Sequence, residues 1–176
     1  MELTHVDRAG AARMVDVSDK RPTARAAVAT GVLRTTAEVV DLLRRDGLPK
    51  GDALATARIA GIMGAKRTPD LVPLCHPIAL SGVVVDLEPA GAEVRIRATV
   101  RTTDRTGVEM EALTAVAVAG LALHDMVKAV DPAAVLDAVR VERKEGGKTG
   151  LWTRPDEQGP DEQSPGEQGP DGQDPS

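Results

Sequence analysis

The sequence predicts an α+β fold: an antiparallel sheet with helices on one face, in the order β-α-β-β-α-β. Two patterns carry this prediction. Val94, Ile96, Ala98 and Val100 alternate with Arg95, Arg97, Thr99 and Arg101, the period-two signature of a half-buried strand. Apolar residues at helical spacing mark Thr36–Arg45 and Val108–Val130.

In chain order, Arg25–Arg34 (RAAVATGVLR) reads as an Ala-rich strand. Thr36–Arg45 follows as a helix with Val39, Leu42 and Leu43 on one side and Gly47 as its stop. Asp52 caps a second helix that runs to about Lys66 and carries Leu54, Ile59, Ile62 and Met63. Leu71–Pro77 (LVPLCHP) has two prolines and reads as a constrained loop or edge segment. Gly82–Glu88 and Glu93–Arg101 are strands joined by the turn PAGA. A long helix over Val108–Val130 and a strand over Val135–Val141 complete the order. With the first two helices treated as one crossover, this is the ferredoxin-like split βαβ arrangement plus an extra helix. The long helix carries Ala112, Ala115, Ala117, Ala119, Gly120 and Ala122, small enough for close packing on its own sheet or on another subunit. Fold alone names no function.

Composition bounds the rest. The 176 residues carry a net charge of −5, yet all 22 basic residues and only 20 of the 27 acidic ones precede Pro155, so the body is mildly basic at +2. Residues 1–154 are predicted to form one domain, a length that supports a sizeable core. Residues 155–176 (PDEQGPDEQSPGEQGPDGQDPS) form a degenerate acidic repeat with proline at every fifth position. It has no apolar residue to offset the entropy of ordering, so it is predicted to be disordered, either an interaction tail or a solubilising extension. Phe and Tyr are absent and Trp152 is the sole aromatic, which excludes aromatic platforms for single-stranded nucleic acid. One cysteine, Cys75, excludes an internal disulfide framework and suits a reducing compartment. The N-terminus has no apolar segment of the secretory kind, and the apolar run Ala112–Leu123 is too short to span a bilayer. A cytoplasmic, soluble protein is expected, with no membrane or nucleic-acid partner.

The basic residues divide into 16 Arg and 6 Lys: Lys20, Lys50, Lys66, Lys128, Lys144 and Lys148. Lysine is the cation that can be desolvated and lose its proton, so the few lysines of an arginine-rich chain are candidates for chemistry. Lys128 lies three residues after Asp125 on the long helix, close enough to pair with it; the pair is either an acid–base couple or an ordinary surface ion pair. Glu109 and Glu111 stand two apart after Arg105-Thr106-Gly107. Glu109 either lines a site or completes a capping box with Thr106, whereas Glu111 has no such structural role. Cys75, His5, His76 and His124 lack paired ligand spacing, so no metal site is predicted. His76, between Pro73 and Pro77, is a substrate ligand, a proton carrier or a plain loop histidine. Lys144-Glu145-Gly146-Gly147-Lys148 offers backbone N–H groups and ammonium charge to a phosphate without being a P-loop, and Lys50-Gly51-Asp52 offers the same ahead of a helix. Both are otherwise solvated turns. Together they suggest several lysines around a small polyanion, with carboxylate and histidine nearby.

The segments LTHVD, MVDVSDK, KGDALATARIAGIMGAKRTPDLVPLCHP, TGVEMEALTAV, DMVKAV and KEGGKTG, in this order and spacing, resemble the cyclic pyranopterin monophosphate synthases, the molybdenum cofactor biosynthesis protein C family. The resemblance spans about Leu3 to Gly150 and leaves the acidic repeat without a counterpart. It implies a ferredoxin-like subunit in a homohexamer, a trimer of dimers, with sites between subunits. It implies a lyase that rearranges 3′,8-cyclo-7,8-dihydroguanosine 5′-triphosphate to cyclic pyranopterin monophosphate and releases diphosphate. By motif, Asp125 and Lys128 are implied to be catalytic, with Lys50 assisting. Leu74, Cys75, His76, Met110 and Glu111 are implied to contact substrate, and Glu109, Lys20, Arg25, Lys144 and Lys148 to line the same pocket. No cofactor is implied, though Mg²⁺ is compatible with a triphosphate substrate. Two other classes remain at this level. A nucleotide sensor would bind without forming product, and an assembly protein using the Ala-rich helix would tolerate loss of the lysines.

Overall fold

The computed structural model describes residues 10–48, 50–148 and 150–155. The acidic repeat, apart from Pro155, lies outside the described residues, as does His5. The elements run β1 (Thr23–Arg34), α1 (Ala37–Arg44), α2 (Ala53–Lys66), α3 (Thr68–Leu71), β2 (Leu80–Ala90), β3 (Glu93–Asp104), α4 (Glu109–Val127), β4 (Val135–Glu145) and β5 (Trp152–Thr153).

The sheet order is β2-β3-β1-β4-β5, and every pairing is antiparallel. The first four strands take the ferredoxin-like order, and β5 is an added edge. Register puts Ala27, Ala29, Gly31 and Leu33 of β1 opposite Val100, Ala98, Ile96 and Val94 of β3, so one face of both strands is apolar. That face is buried beneath α4 and α2. The arginines of β3 stand on the other face, as the alternation predicts.

α2 runs antiparallel to α4 and packs closely on it because glycines meet the facing helix. A Cβ on Gly61 would lie 2.8 Å from the Ala115 carbonyl oxygen, and one on Gly64 would lie 2.8 Å from Val118. With so few aromatics, this close backbone approach is how a core of Ala, Val and Leu reaches native density.

Several boundaries differ from the sequence reading. α1 stops in a Schellman motif whose left-handed residue is Asp46 (φ 50°), not Gly47; Gly47 N–H donates to Leu42 O at 2.9 Å. The hairpin turn is tighter than PAGA, since Pro89 and Ala90 belong to β2. β4 runs on to Glu145, and both the short α3 and the two-residue β5 go unpredicted. The expected second-helix cap is present, with Asp52 Oδ1 accepting from Ala55 N–H at 2.8 Å.

α4 covers 19 residues, and by length and composition alone it could cross a membrane. Instead it is the core helix, packed against β1, β3, β4 and α2. The shorter apolar run seen in the sequence understates it, because the helix continues through Glu109–Glu111 at one end and His124–Asp125 at the other.

Candidate functional site

The sequence-derived candidates gather at the two ends of α4. At its C-terminal end, Asp125 accepts from two lysines. Lys128 Nζ lies 2.7 Å from Oδ1, one helical turn away, and Lys50 Nζ lies 2.7 Å from Oδ2. Lys50 also donates to the Asp125 main-chain oxygen at 2.9 Å. It reaches this point because Asp52 starts α2 beside the end of α4. All three side chains are roughly half exposed. The hydrogen bonds from Lys128 and then Lys50 hold the Asp125 carboxyl down at about 2, below its ordinary 3.8. Near neutral pH it is therefore an anion that can accept a proton but has none to give.

At the N-terminal end of α4 a cleft of about 440 Å³ is lined by Val15, Val17, Lys20, the loop Leu74-Cys75-His76 and the helix start Glu109-Met110-Glu111. Glu111 is 3 % exposed, and its Oε2 is buried with no hydrogen-bond partner. Burial raises its pKa above the usual 4.5, with the Glu109 charge adding to the effect. The Cys75 thiol is likewise raised from 9.0 by burial and then by the Glu111 charge, so it stays a thiol near neutrality. His76 Nε2 sits 2.8 Å from Val15 O. A carbonyl only accepts, so Nε2 carries the hydrogen, and in the neutral ring Nδ1 is left as an acceptor.

The capping-box alternative for Glu109 does not hold. Val108 is the N-cap and no side chain caps the helix; Glu109 instead pairs with Lys144 at 3.1 Å, across from the end of β4. Its carboxylate folds back over Gly107, where any Cβ would overlap it.

A second cleft of about 520 Å³ shares Lys20 with the first and is lined by Asp16, Asp19, Arg21, Thr23, Arg25, Gly147 and Lys148. Here Arg25 and Lys148 come together with Lys20, in the kind of cationic surroundings expected for a polyanion. Val15, Val17, Arg21 and Thr23 were not singled out in the sequence. Proximity to Lys20 is their signal in the sequence: Val15, Val17 and Arg21 lie in a segment without helix or strand, and Thr23 is only the first residue of β1. Among the described residues no group of three or more His, Cys, Asp or Glu side chains could hold a metal.

The two ends do not meet within one chain. From Glu109 to Asp125 is 16 residues of helix, roughly 24 Å at 1.5 Å per residue. Lys50, Asp125 and Lys128 thus form one group, and Lys20, Arg25, Leu74, Cys75, His76, Glu109, Met110, Glu111, Lys144 and Lys148 form the other.

Comparison with known proteins identifies the framework. The MoaC family matches residues 14–147, which takes in both groups except Lys148, one residue beyond the match. The chain belongs to the MoaC family. It is 70 % identical over 152 residues to a Streptomyces coelicolor protein named Cyclic pyranopterin monophosphate synthase, covering 86 % of this chain and 89 % of that one. It is 64 % identical over 153 residues to the Mycobacterium bovis Cyclic pyranopterin monophosphate synthase 2, covering 87 % and 92 %. A Corynebacterium efficiens relative with the first of those names is 59 % identical over 152 residues, covering 86 % and 98 %.

Proposed function

We propose that this chain, by its MoaC membership an enzyme of molybdenum cofactor biosynthesis and a lyase, converts 3′,8-cyclo-7,8-dihydroguanosine 5′-triphosphate to cyclic pyranopterin monophosphate and diphosphate. The reaction takes place in sites completed between subunits of a homohexamer.

The observation that carries this reading is the division of the chemistry between the ends of α4. One end has a proton acceptor flanked by two ammonium groups. The other has a cleft with a buried carboxyl and a histidine, joined at Lys20 to a second cleft that adds Arg21, Arg25 and Lys148 beside Asp16 and Asp19. A two-fold axis that sets two copies of α4 antiparallel would bring each end of one against the opposite end of its partner, giving two complete sites per dimer. Apolar side chains on the outward sides of the helical layer favour such burial: Ile59 is 59 % exposed, Met63 49 % and Leu121 64 %.

In the assembled site, Lys20, Lys144, Lys148 and Arg25 surround the triphosphate and stabilise charge on the departing diphosphate. Asp125, already ionised, takes protons from the ring system, and Lys128 and Lys50 return them. In the cyclisation a sugar hydroxyl oxygen bonds to the α-phosphorus and the bond to the β-phosphate oxygen breaks. The hydroxyl proton passes to a base and diphosphate leaves with the electron pair. Any Mg²⁺ arrives with the phosphates.

The test is turnover of the cyclised guanosine triphosphate by the purified chain, following diphosphate and pterin, alongside Lys128→Ala and sedimentation of the assembly. Product from the wild type but not from Lys128→Ala, in a particle of six chains, is the expected result. Tight binding without product would make the chain a sensor. A functional monomer would remove the shared site.

A further inference from the structure

We propose that Arg105, working with Arg25, is a positioning residue that sets the spacing of the two cation-bearing walls of the 520 Å³ cleft. The inference rests on reading that cleft as the place where the substrate's phosphates bind.

One wall is the segment 15–20, which carries Lys20 and belongs to no helix or strand. Two side chains of the body hold its main chain. His76 engages Val15 O at 2.8 Å, and Arg105 Nε donates to Lys20 O at 3.0 Å. The second bond is at the residue that lines both clefts. The other wall is the turn Gly146–Lys148. Both glycines have positive φ, 89° and 70°. A Cβ on Gly146 would overlap the Ala24 carbonyl oxygen, and one on Gly147 would lie 2.5 Å from Arg25 Nη1. The turn therefore rests directly on β1 and on the Arg25 guanidinium.

Arg25 joins the two walls. Its Nε donates to Asp104 O at 2.9 Å and its Nη2 to Arg105 O at 3.2 Å. The connection runs from the glycine turn through Arg25 to the main chain of Arg105, and from the Arg105 side chain to the main chain of Lys20. Both arginines use Nε on backbone carbonyls, which fixes main chain. A planar guanidinium is suited to this because its donors are held rigidly relative to one another. The Lys20 head then reaches the phosphates from a fixed anchor point, and a shift of that anchor by about 1 Å weakens its contact.

The test measures binding of inorganic tripolyphosphate to the full chain by calorimetry, for wild type, Arg105→Ala, Lys20→Ala and the double variant, with melting temperatures. Arg105→Ala is expected to weaken binding about tenfold, and to cause no further loss once Lys20 is already Ala. With the reaction substrate, KM should rise with kcat little changed, and Arg105→Lys, which keeps a donor of similar reach, should recover most of the affinity. Additive losses would mean that Arg105 acts by its own charge and would overturn the proposal, as would wild-type affinity in Arg105→Ala. If Arg105→Ala does not fold, Gly147→Ala tests the other arm by pushing Arg25 aside; unchanged affinity there also overturns it. A wild type that binds no tripolyphosphate removes the phosphate reading of the cleft and this proposal with it, whereas binding insensitive to Arg105 removes the positioning role alone.

Discussion

The two ends of α4 each present a carboxylate, and their surroundings drive the two apart. Asp125 is exposed between two ammonium groups and is held down at about 2. Glu111 is buried in a cleft, has an oxygen without a partner, and is raised above 4.5. One helix thus carries a carboxylate held ionised and weakly basic by its ammonium neighbours and another biased towards its neutral, hydrogen-donating form. Environment rather than residue type assigns the roles, and two carboxylates tuned in opposite directions suit a reaction with several proton transfers.

The largest effect is expected at the Asp125 end of α4. Lys128→Ala should lower turnover by about 10²–10⁴-fold, the usual worth of a positioned proton-transfer group, while melting within about two degrees of wild type because the pair is exposed. Lys128→Ala and Glu111→Ala chains, each inactive alone, should regain a fraction of wild-type turnover when unfolded and refolded together. No recovery from a properly assembled mixture would mean that the two ends do not share a site.

Next in size is the packing that keeps the ends apart. Gly61→Val forces side-chain atoms towards the Ala115 carbonyl and should cost about 1–3 kcal/mol in denaturant unfolding. Wild-type stability would mean that α2 and α4 can separate without penalty.

Glu111→Gln sharpens the buried end. Because burial raises the folded pKa, the favourable contribution of Glu111 is complete below its unfolded value near 4.5 and is lost as pH rises through the folded value. The variant should therefore be more stable than wild type at pH 8, by about 1 kcal/mol, with the gain vanishing near pH 4. Thermal melts across that range check the sign, and a variant less stable at pH 8 would contradict it. Asp125 has the opposite sign and a smaller effect. Its contribution is present above 3.8 and lost as pH falls through about 2, so Asp125→Asn should differ from wild type less at pH 1.5 than at pH 5 in acid titrations followed by circular dichroism.

Legibility in the sequence followed the range of the interaction. The alternation in Glu93–Arg101 announced β3 and its buried face because a strand's period is local. Lys128 and Asp125 could be paired from their spacing because one helical turn brings them together. Lys50 could not be joined to Asp125 in the same way, since 75 residues separate them and only the docking of α2 on α4 closes the gap. β5 escaped notice because two residues carry no period, and what defines it is pairing with Arg143 and Lys144. Asp46 took the left-handed position expected near Gly47 because the chain reverses one residue earlier.

By itself the sequence determined the α+β class, the order of the main elements, the choice of lysines, acids and His76 as candidates, and the family. These follow from periodicities of two and 3.6 residues, from composition and from blocks of neighbouring residues, all properties of short stretches of chain. Only the tertiary structure decided that those candidates fall into two groups roughly 24 Å apart. It alone decided that Glu111 is buried while Asp125 is not, and that Arg105 holds the main chain of Lys20. Burial and long-range contact depend on what packs over a residue, and the partners doing so come from distant parts of the chain.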